Sequence, residues 1–157
     1  MVDSDLHRNR ARLLESKNMG IDSVCVVGGS GFVGGHLVAR LAATGRTVKV
    51  LTRRRERQKS RLVCPTVDMI ECDVYDPASL DRHFAGADAV VFLTGILNES
   101  GHATFKRVHV ELARSVSESC IRSGVSRLLH MSALNASAAG GASEYLRTKG
   151  EGEDIAH

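Results

Sequence analysis

The chain has 157 residues, of which 43% are hydrophobic and 25% are charged, and its formal net charge is +3. This length is enough to bury one ordinary core, and no apolar run approaches the length of a membrane span, so we expect one domain and no direct membrane insertion. The four cysteines form no CxxC pair and the seven histidines no recognisable ligand set. We therefore predict reduced cysteines, a cytoplasmic location and no metal site.

The first 20 residues are polar and charged, and they contain the acids Asp3, Asp5 and Glu15. A signal peptide would need a continuous hydrophobic core, and a mitochondrial presequence is normally poor in acids. We interpret residues 1–20 as an N-terminal extension and residues 21–157 as the folded domain.

From Ser23 onward, short β-branched runs alternate with helical periodicity. Strands are predicted over residues 23–27, 47–52, 67–72, 89–93 and 127–131. Helices are predicted over residues 31–44, 55–62, 77–84 and 104–123, with another beginning near Ser143. Strands separated by helices favour parallel pairing, so the pattern predicts a doubly wound α/β sheet of the Rossmann type, with strand order 3-2-1-4-5.

The first predicted strand leads directly into glycines 28, 31 and 34, which form a GxxGxxG turn before a helix. In a dinucleotide-binding domain such glycines let the chain reverse, approach a pyrophosphate and pack helix against strand. The helix N-terminus then favours the anion. A purely steric turn is the alternative. The predicted binding residues of this turn are Gly28, Ser30, Gly31, Phe32, Val33 and Gly34.

The second predicted strand ends in consecutive arginines, of which Arg53 and Arg54 stand where an NAD-binding domain usually has an acid. Arginine suits a ribose 2′-phosphate, so NADP is favoured over NAD, with NAD as the alternative. The run from Arg53 to Arg61 has six basic residues and one acid. Most of it is interpreted as a solvated basic face. Nucleic-acid binding is disfavoured, because no aromatic stacking set accompanies the run.

The next two strand ends also carry candidate binding residues. Asp73, with Val74, can accept a hydrogen bond from an adenine amino group, although a turn or capping role fits Asp73 nearly as well. Leu93, Thr94 and Gly95 follow the fourth strand, where a small residue lets the backbone pass close to a cofactor. Gly95 could equally serve only the turn.

Ser132 follows the fifth strand, and Tyr145 and Lys149 are spaced four residues apart in the last predicted helix. Residues at this spacing share one helix face, so the ammonium can stand near the phenol and favour its ionised form. Such a phenol can act as a general acid or base. The alternative is an ordinary exposed helix pair.

Together, the glycine turn, Ser132 and the Tyr145–Lys149 pair resemble the short-chain dehydrogenase/reductase superfamily, over about residues 23–155. Within it, the chain is similar to the extended and atypical branch of epimerases and dehydratases. Residues 132–137 and 145–153 resemble bacterial relatives of the NADPH-binding accessory subunit of respiratory complex I. The resemblance implies that Tyr145 exchanges a proton with substrate, Lys149 also binds the nicotinamide ribose, and Ser132 holds the substrate oxygen.

Two functions are compatible with this resemblance: an NADP-dependent oxidoreductase or epimerase with an unknown small-molecule substrate, and a non-catalytic NADPH-binding module. A redox-sensing regulator is a third. The complex I similarity implies a respiratory-complex partner, which would place the chain peripherally at the inner membrane. Extended members of the superfamily continue into a C-terminal substrate lobe, so we expect the chain to be the N-terminal part of a larger protein, with little turnover by itself.

Overall fold

The computed structural model of the protein describes residues 20–53 and 64–157. The predicted N-terminal extension, except Gly20, lies outside the described residues. The predicted basic helix over residues 55–62 and the candidate Arg54 also lie outside them.

Five parallel strands form one sheet in the order β3-β2-β1-β4-β5, so the predicted order is confirmed. Their bounds are β1 Ser23–Val27, β2 Thr47–Thr52, β3 Val67–Glu71, β4 Ala89–Phe92 and β5 Leu128–His130. The register places Val27 of β1 beside Leu51 of β2 and Phe92 of β4. These three neighbouring strands therefore reach the same edge of the sheet together.

Four α-helices are described: α1 Phe32–Ala43, α2 Pro77–Phe84, α3 Leu112–Arg122 and α4 Glu144–Ala156. Side chains cap two of them: an Asp76 carboxylate oxygen accepts from the Ala78 N–H at 3.1 Å, and Ser143 Oγ accepts from the Leu146 N–H at 3.2 Å. Both residues are favoured N-cap types. Within the described ranges, no helix has the length and apolar character needed to cross a membrane.

A π-helical segment, Lys106–Glu111, leads without a break into α3. The sequence pattern predicts one continuous α-helix over residues 104–123. The observed π-helical segment differs from this prediction, and it is closely packed against α4. The carbonyl oxygen of His109, inside the segment, lies next to Gly152 of α4. A Cβ atom on Gly152 would approach that oxygen much more closely than any van der Waals contact allows.

Helices pack on both faces of the sheet and bury the central strands β1 and β4. On one face, Cys25 and Val27 of β1 join a cluster that includes Phe84 of α2 and Val116 of α3. On the other face, Val24 and Val26 pack in a cluster with Val38 of α1. Alternate residues of one strand thus enter two cores, as expected for a parallel sheet covered on both sides.

Candidate functional site

The turn after β1 requires glycine at position 28. Gly28 has φ +85°, in the left-handed region that side chains rarely adopt. A Cβ atom there would also lie 2.8 Å from Thr94 Oγ1 and 2.9 Å from the Thr94 amide nitrogen. The turn after β1 and the loop after β4 are therefore in direct contact.

The other two motif glycines differ in what surrounds them. A Cβ atom on Gly34 would lie 2.5 Å from Gly29 Cα, so glycine is needed there for α1 to pack on the turn. Among residues 20–53 and 64–157, a Cβ atom on Gly31 would meet only the Gly28 carbonyl oxygen within 4 Å, at 3.4 Å. Packing among the described residues therefore does not require glycine at 31, and a ligand could approach glycine more closely there than it could a larger residue.

Gly31 is also the N-cap residue of α1. It has extended backbone, its position provides no side-chain cap, and the first helical turn carries no acidic residue. The first N–H groups of a helix carry partial positive charge and bind anions well. The start of α1 is thus suited to a phosphate group.

A cleft of about 300 Å³ opens where the turn after β1 meets the ends of β2 and β4. Eight predicted cofactor residues line it: Gly28, Ser30, Gly31, Arg53, Val74, Leu93, Thr94 and Gly95. Sequence reasoning did not single out the others: Val27, Leu51, Thr52, Tyr75, Ile96, Ala103, Val108 and Leu112. The cleft lies at the reversal of strand order between β1 and β4, where open α/β sheets bind ligands.

The remaining predicted binding residues in the described ranges do not line this cleft. Phe32 is 82% exposed, and its ring contacts His36 edge-on on the outer side of α1. Val33 is exposed, and Gly34, near the start of α1, is buried. A binding role for these three would rest on their backbone N–H groups.

Asp73 is exposed and closes its own turn, because one of its carboxylate oxygens accepts from the Tyr75 N–H at 2.9 Å. The turn role considered for Asp73 is therefore present, and adenine recognition stays a prediction. Tyr75 itself lines the cleft, with the Arg107 guanidinium 4.6 Å from its ring centre. This cation–π contact fixes one wall of the cleft.

At the end of β2, Arg53 is exposed and lines the cleft. Contact between Arg53 and a ribose phosphate stays a prediction. The other arginine of the predicted pair, Arg54, lies outside the described residues.

The three predicted catalytic residues lie on α4 and at the end of β5. The Tyr145 ring packs edge-on against Phe105 and His109, with ring centres 5.9 and 5.4 Å away. Lys149 is 4% exposed, and its ammonium donates to the Met131 carbonyl oxygen. Burial lowers the pKa of Lys149, against the opposing effect of the Glu153 carboxylate.

Ser132 has a partner that the sequence did not reveal. Its hydroxyl donates to Glu153 Oε2 at 2.7 Å, one helical turn beyond Lys149 on α4. The hydroxyl and the ammonium of the predicted catalytic set are thus each held by a partner within the protein.

His109 is a second residue that sequence reasoning did not identify. Its side chain is fully buried, Nε2 accepts from the Ile96 N–H at 3.1 Å, and Nδ1 lies 3.0 Å from Thr148 Oγ1. Burial, and secondarily the charge of Lys149, lower the pKa of His109 to about 4. A polar residue between the apolar Val108 and Val110 was the available signal.

His130, the last residue of β5, is also held neutral. Burial, followed by the charge of Lys149, lowers its pKa to about 4. Both ring nitrogens are buried without a hydrogen-bond partner among residues 20–53 and 64–157, and the ring lies against Phe92.

The chain matches the model of the NAD(P)H-binding family over residues 28–155 and belongs to that family. The match begins at the first motif glycine and ends one residue before the end of α4. It therefore includes the described residues of the cleft apart from Val27.

Two curated relatives and one solved structure agree with this assignment. The chain is 31% identical over 142 residues to the mitochondrial NADH-ubiquinone oxidoreductase 40 kDa subunit of Neurospora crassa, covering 88% of this chain and 37% of that protein. It is 32% identical over 136 residues to ceramide reductase of Caulobacter vibrioides, covering 83% of this chain and 40% of that protein. The structure of MoeE5 in complex with UDP-glucose and NAD has a TM-score of 0.67 and 26% identity, covering 85% of this chain and 48% of that one.

These similarities confirm the predicted resemblance to a complex I accessory subunit and to the epimerase and dehydratase branch. They also show what fraction of the relatives' length this chain covers. The chain spans about two fifths of the curated relatives' length and about half of MoeE5.

Proposed function

We propose that this NAD(P)-binding domain takes NADP(H) and forms the cofactor-binding part of a reductase or epimerase. The observation that carries the proposal is the cleft at the β1–β4 switch point, which is lined by the glycine turn before α1 and by the ends of β2 and β4. Tyr145 and Lys149 supply the acid–base part of the proposal from α4.

The residues present fit such a cofactor. The start of α1 would hold the pyrophosphate, Arg53 the ribose 2′-phosphate, and the region of Asp73 and Val74 the adenine. The loop of Leu93, Thr94 and Gly95 would pass beside the other half of the dinucleotide. When bound, the nicotinamide donates or accepts a hydride, chemistry that side chains do not supply.

For catalysis, the Tyr145 hydroxyl would exchange a proton with a substrate oxygen, and Lys149, one helical turn further along α4, would bind the nicotinamide ribose. Ser132 would hold the same substrate oxygen. To do so, the Ser132 hydroxyl must either break its hydrogen bond to Glu153 and donate to the substrate, or keep that bond and accept a hydrogen bond from a substrate hydroxyl. The ceramide reductase relative supports reduction as the reaction class.

A comparison of NADPH and NADH tests the cofactor assignment. We expect tighter binding of NADPH in calorimetric titrations, together with a larger rise in unfolding temperature. Equal affinities would refute the NADP assignment while leaving the dinucleotide site intact.

A non-catalytic NADPH-binding module is the second candidate, in a complex held peripherally at a membrane by its partners. It is favoured by the internal hydrogen bonds of Ser132 and Lys149 and by the similarity to the 40 kDa respiratory subunit. Tyr145→Phe separates the two. In an enzyme this change abolishes turnover by the full-length protein and spares NADPH binding, whereas a module shows no turnover before or after the change.

A further inference from the structure

We propose that His109 is a positioning residue, which ties the loop lining the dinucleotide cleft to the helix carrying Tyr145 and Lys149. The proposal rests on the proposed dinucleotide site. His109 does not line the cleft itself, and it is fully buried. It therefore acts through the residues that it bonds.

The hydrogen bonds of His109 define one neutral form of its ring. The Ile96 N–H can only donate, so Nε2 must be the unprotonated nitrogen. The single hydroxyl proton of Thr148 is directed at the backbone carbonyls of Glu144 and Tyr145, which lie 2.9 and 3.1 Å from Oγ1 and are alternative or shared acceptors. The Thr148 oxygen must then accept from His109, so Nδ1 carries the proton.

These two bonds reach both halves of the site. Ile96 and its neighbour Gly95 line the cleft, while Thr148 immediately precedes Lys149 on α4. The ring also stacks on Phe105, with centres 5.5 Å apart, and contacts the Tyr145 ring edge-on. One buried side chain thus holds the cleft loop and the acid–base helix in a fixed relation.

The geometry explains why histidine serves here. An apolar ring could fill the same space, but it would leave the Ile96 N–H without its acceptor. A protonated ring would present a donor to that N–H, and the burial and charge that keep His109 neutral prevent this near neutral pH.

Two partial replacements separate the bonds. The change His109→Gln can place a carbonyl oxygen near the Nε2 position and keep the Ile96 bond. The change His109→Asn can keep a donor to Thr148, but the new side chain is too short to reach Ile96. The change His109→Phe keeps the ring packing and removes both bonds.

The first measurement is amide hydrogen exchange at Ile96 in the nucleotide-free chain. We expect exchange to rise about tenfold in the Asn and Phe variants and to stay within about threefold of the parent in the Gln variant, as loss of one hydrogen bond implies. The second is NADPH titration, in which affinity should fall about tenfold in the Asn and Phe variants and be largely retained in the Gln variant. The unfolding temperatures of the Gln and Asn variants are measured as well, so that a loss of NADPH affinity can be distinguished from a general loss of stability.

Unchanged Ile96 exchange in the Asn and Phe variants would overturn the proposal. The proposal would also be overturned if the Gln and Asn variants lost the same NADPH affinity and if this loss paralleled the decrease in their unfolding temperatures. That result would mean that His109 contributes packing alone. If the Phe variant does not fold, the Gln and Asn pair still decides. Failure of the parent chain to bind NADPH would contradict the proposed function instead, while the exchange pattern would still decide whether His109 holds the loop.

Discussion

The Ser132 hydroxyl donates to the Glu153 carboxylate at 2.7 Å, linking the end of β5 to α4. A hydrogen bond to a charged acceptor in a half-buried place contributes more than a neutral surface bond. Glu153→Ala should therefore lower the free energy of unfolding by about 1–2 kcal/mol in urea titrations.

Glu151→Ala is the matched control for Glu153→Ala, because Glu151 is exposed on the same helix. We expect a measurable loss of stability from the change at 153 and almost none at 151. A double-mutant cycle with Ser132→Ala should show non-additive losses. Additive losses would mean that the two side chains do not stabilise the fold through each other.

Alanine substitutions at two of the motif glycines should affect different properties, NADPH affinity in one case and stability in the other. Gly31→Ala should leave the unfolding temperature within a few degrees of the parent while reducing NADPH affinity at least about tenfold, because its new methyl group meets ligand rather than protein. Gly34→Ala should destabilise the fold by about 1–3 kcal/mol, because the methyl group overlaps the preceding turn. Thermal unfolding and calorimetric titration of both variants measure this contrast. Similar behaviour of the two variants would contradict the assigned roles.

Arg53→Ala should reduce the preference for NADPH over NADH by at least about tenfold, since a charge-assisted hydrogen bond to phosphate contributes roughly 1.5–3 kcal/mol and each 1.4 kcal/mol is a factor of ten. Arg127→Ala is the control, as Arg127 is exposed and does not line the cleft. The ratio of the two dissociation constants is the measurement. A ratio that does not change in the Arg53 variant argues against contact between Arg53 and the 2′-phosphate.

Stability should decline as pH falls from about 6.5 towards 4. The folded-state pKa values of His109 and His130 are about 4, below the ordinary value of 6.5, so the unfolded chain binds protons first. Each neutral buried histidine then adds a slope of up to about 1.4 kcal/mol per pH unit in this window, with stability fully present above it.

Urea titrations at several pH values measure this slope. Replacing either buried histidine with glutamine should reduce it, whereas the same change at His102, which is exposed, should not. Equal slopes in all three variants would show that other groups control the acid sensitivity.

Much of the fold follows from local rules. The helix at Pro77 begins as predicted because Asp76 supplies the cap and proline fits the first turn. The strand ends agree within two residues because β-branched runs and glycines mark them. Gly28, Arg53 and Thr94 could be assigned to one cleft because parallel strands present their carboxyl ends at one edge.

Other features depend on contacts between distant residues. Glu153 is 21 residues from Ser132, and Thr148 is 39 residues from His109. No periodicity reveals such partners, since a single buried polar residue has the same sequence pattern in many packing arrangements. The π-helical segment was missed because the apolar spacing around it also suits an α-helix.

The π-helical segment also makes the site sensitive to the number of residues before α3. Each residue in an α-helix advances the chain by about 100° around the helix axis, and a π turn accommodates one residue more than an α turn. Removing one residue from Lys106–Glu111 would let the helix become regular and would turn His109 away from Ile96 or from Thr148. The loop–helix connection is therefore a property of chain length at this point as well as of residue type, and a deletion could abolish it while every side chain that makes it is retained.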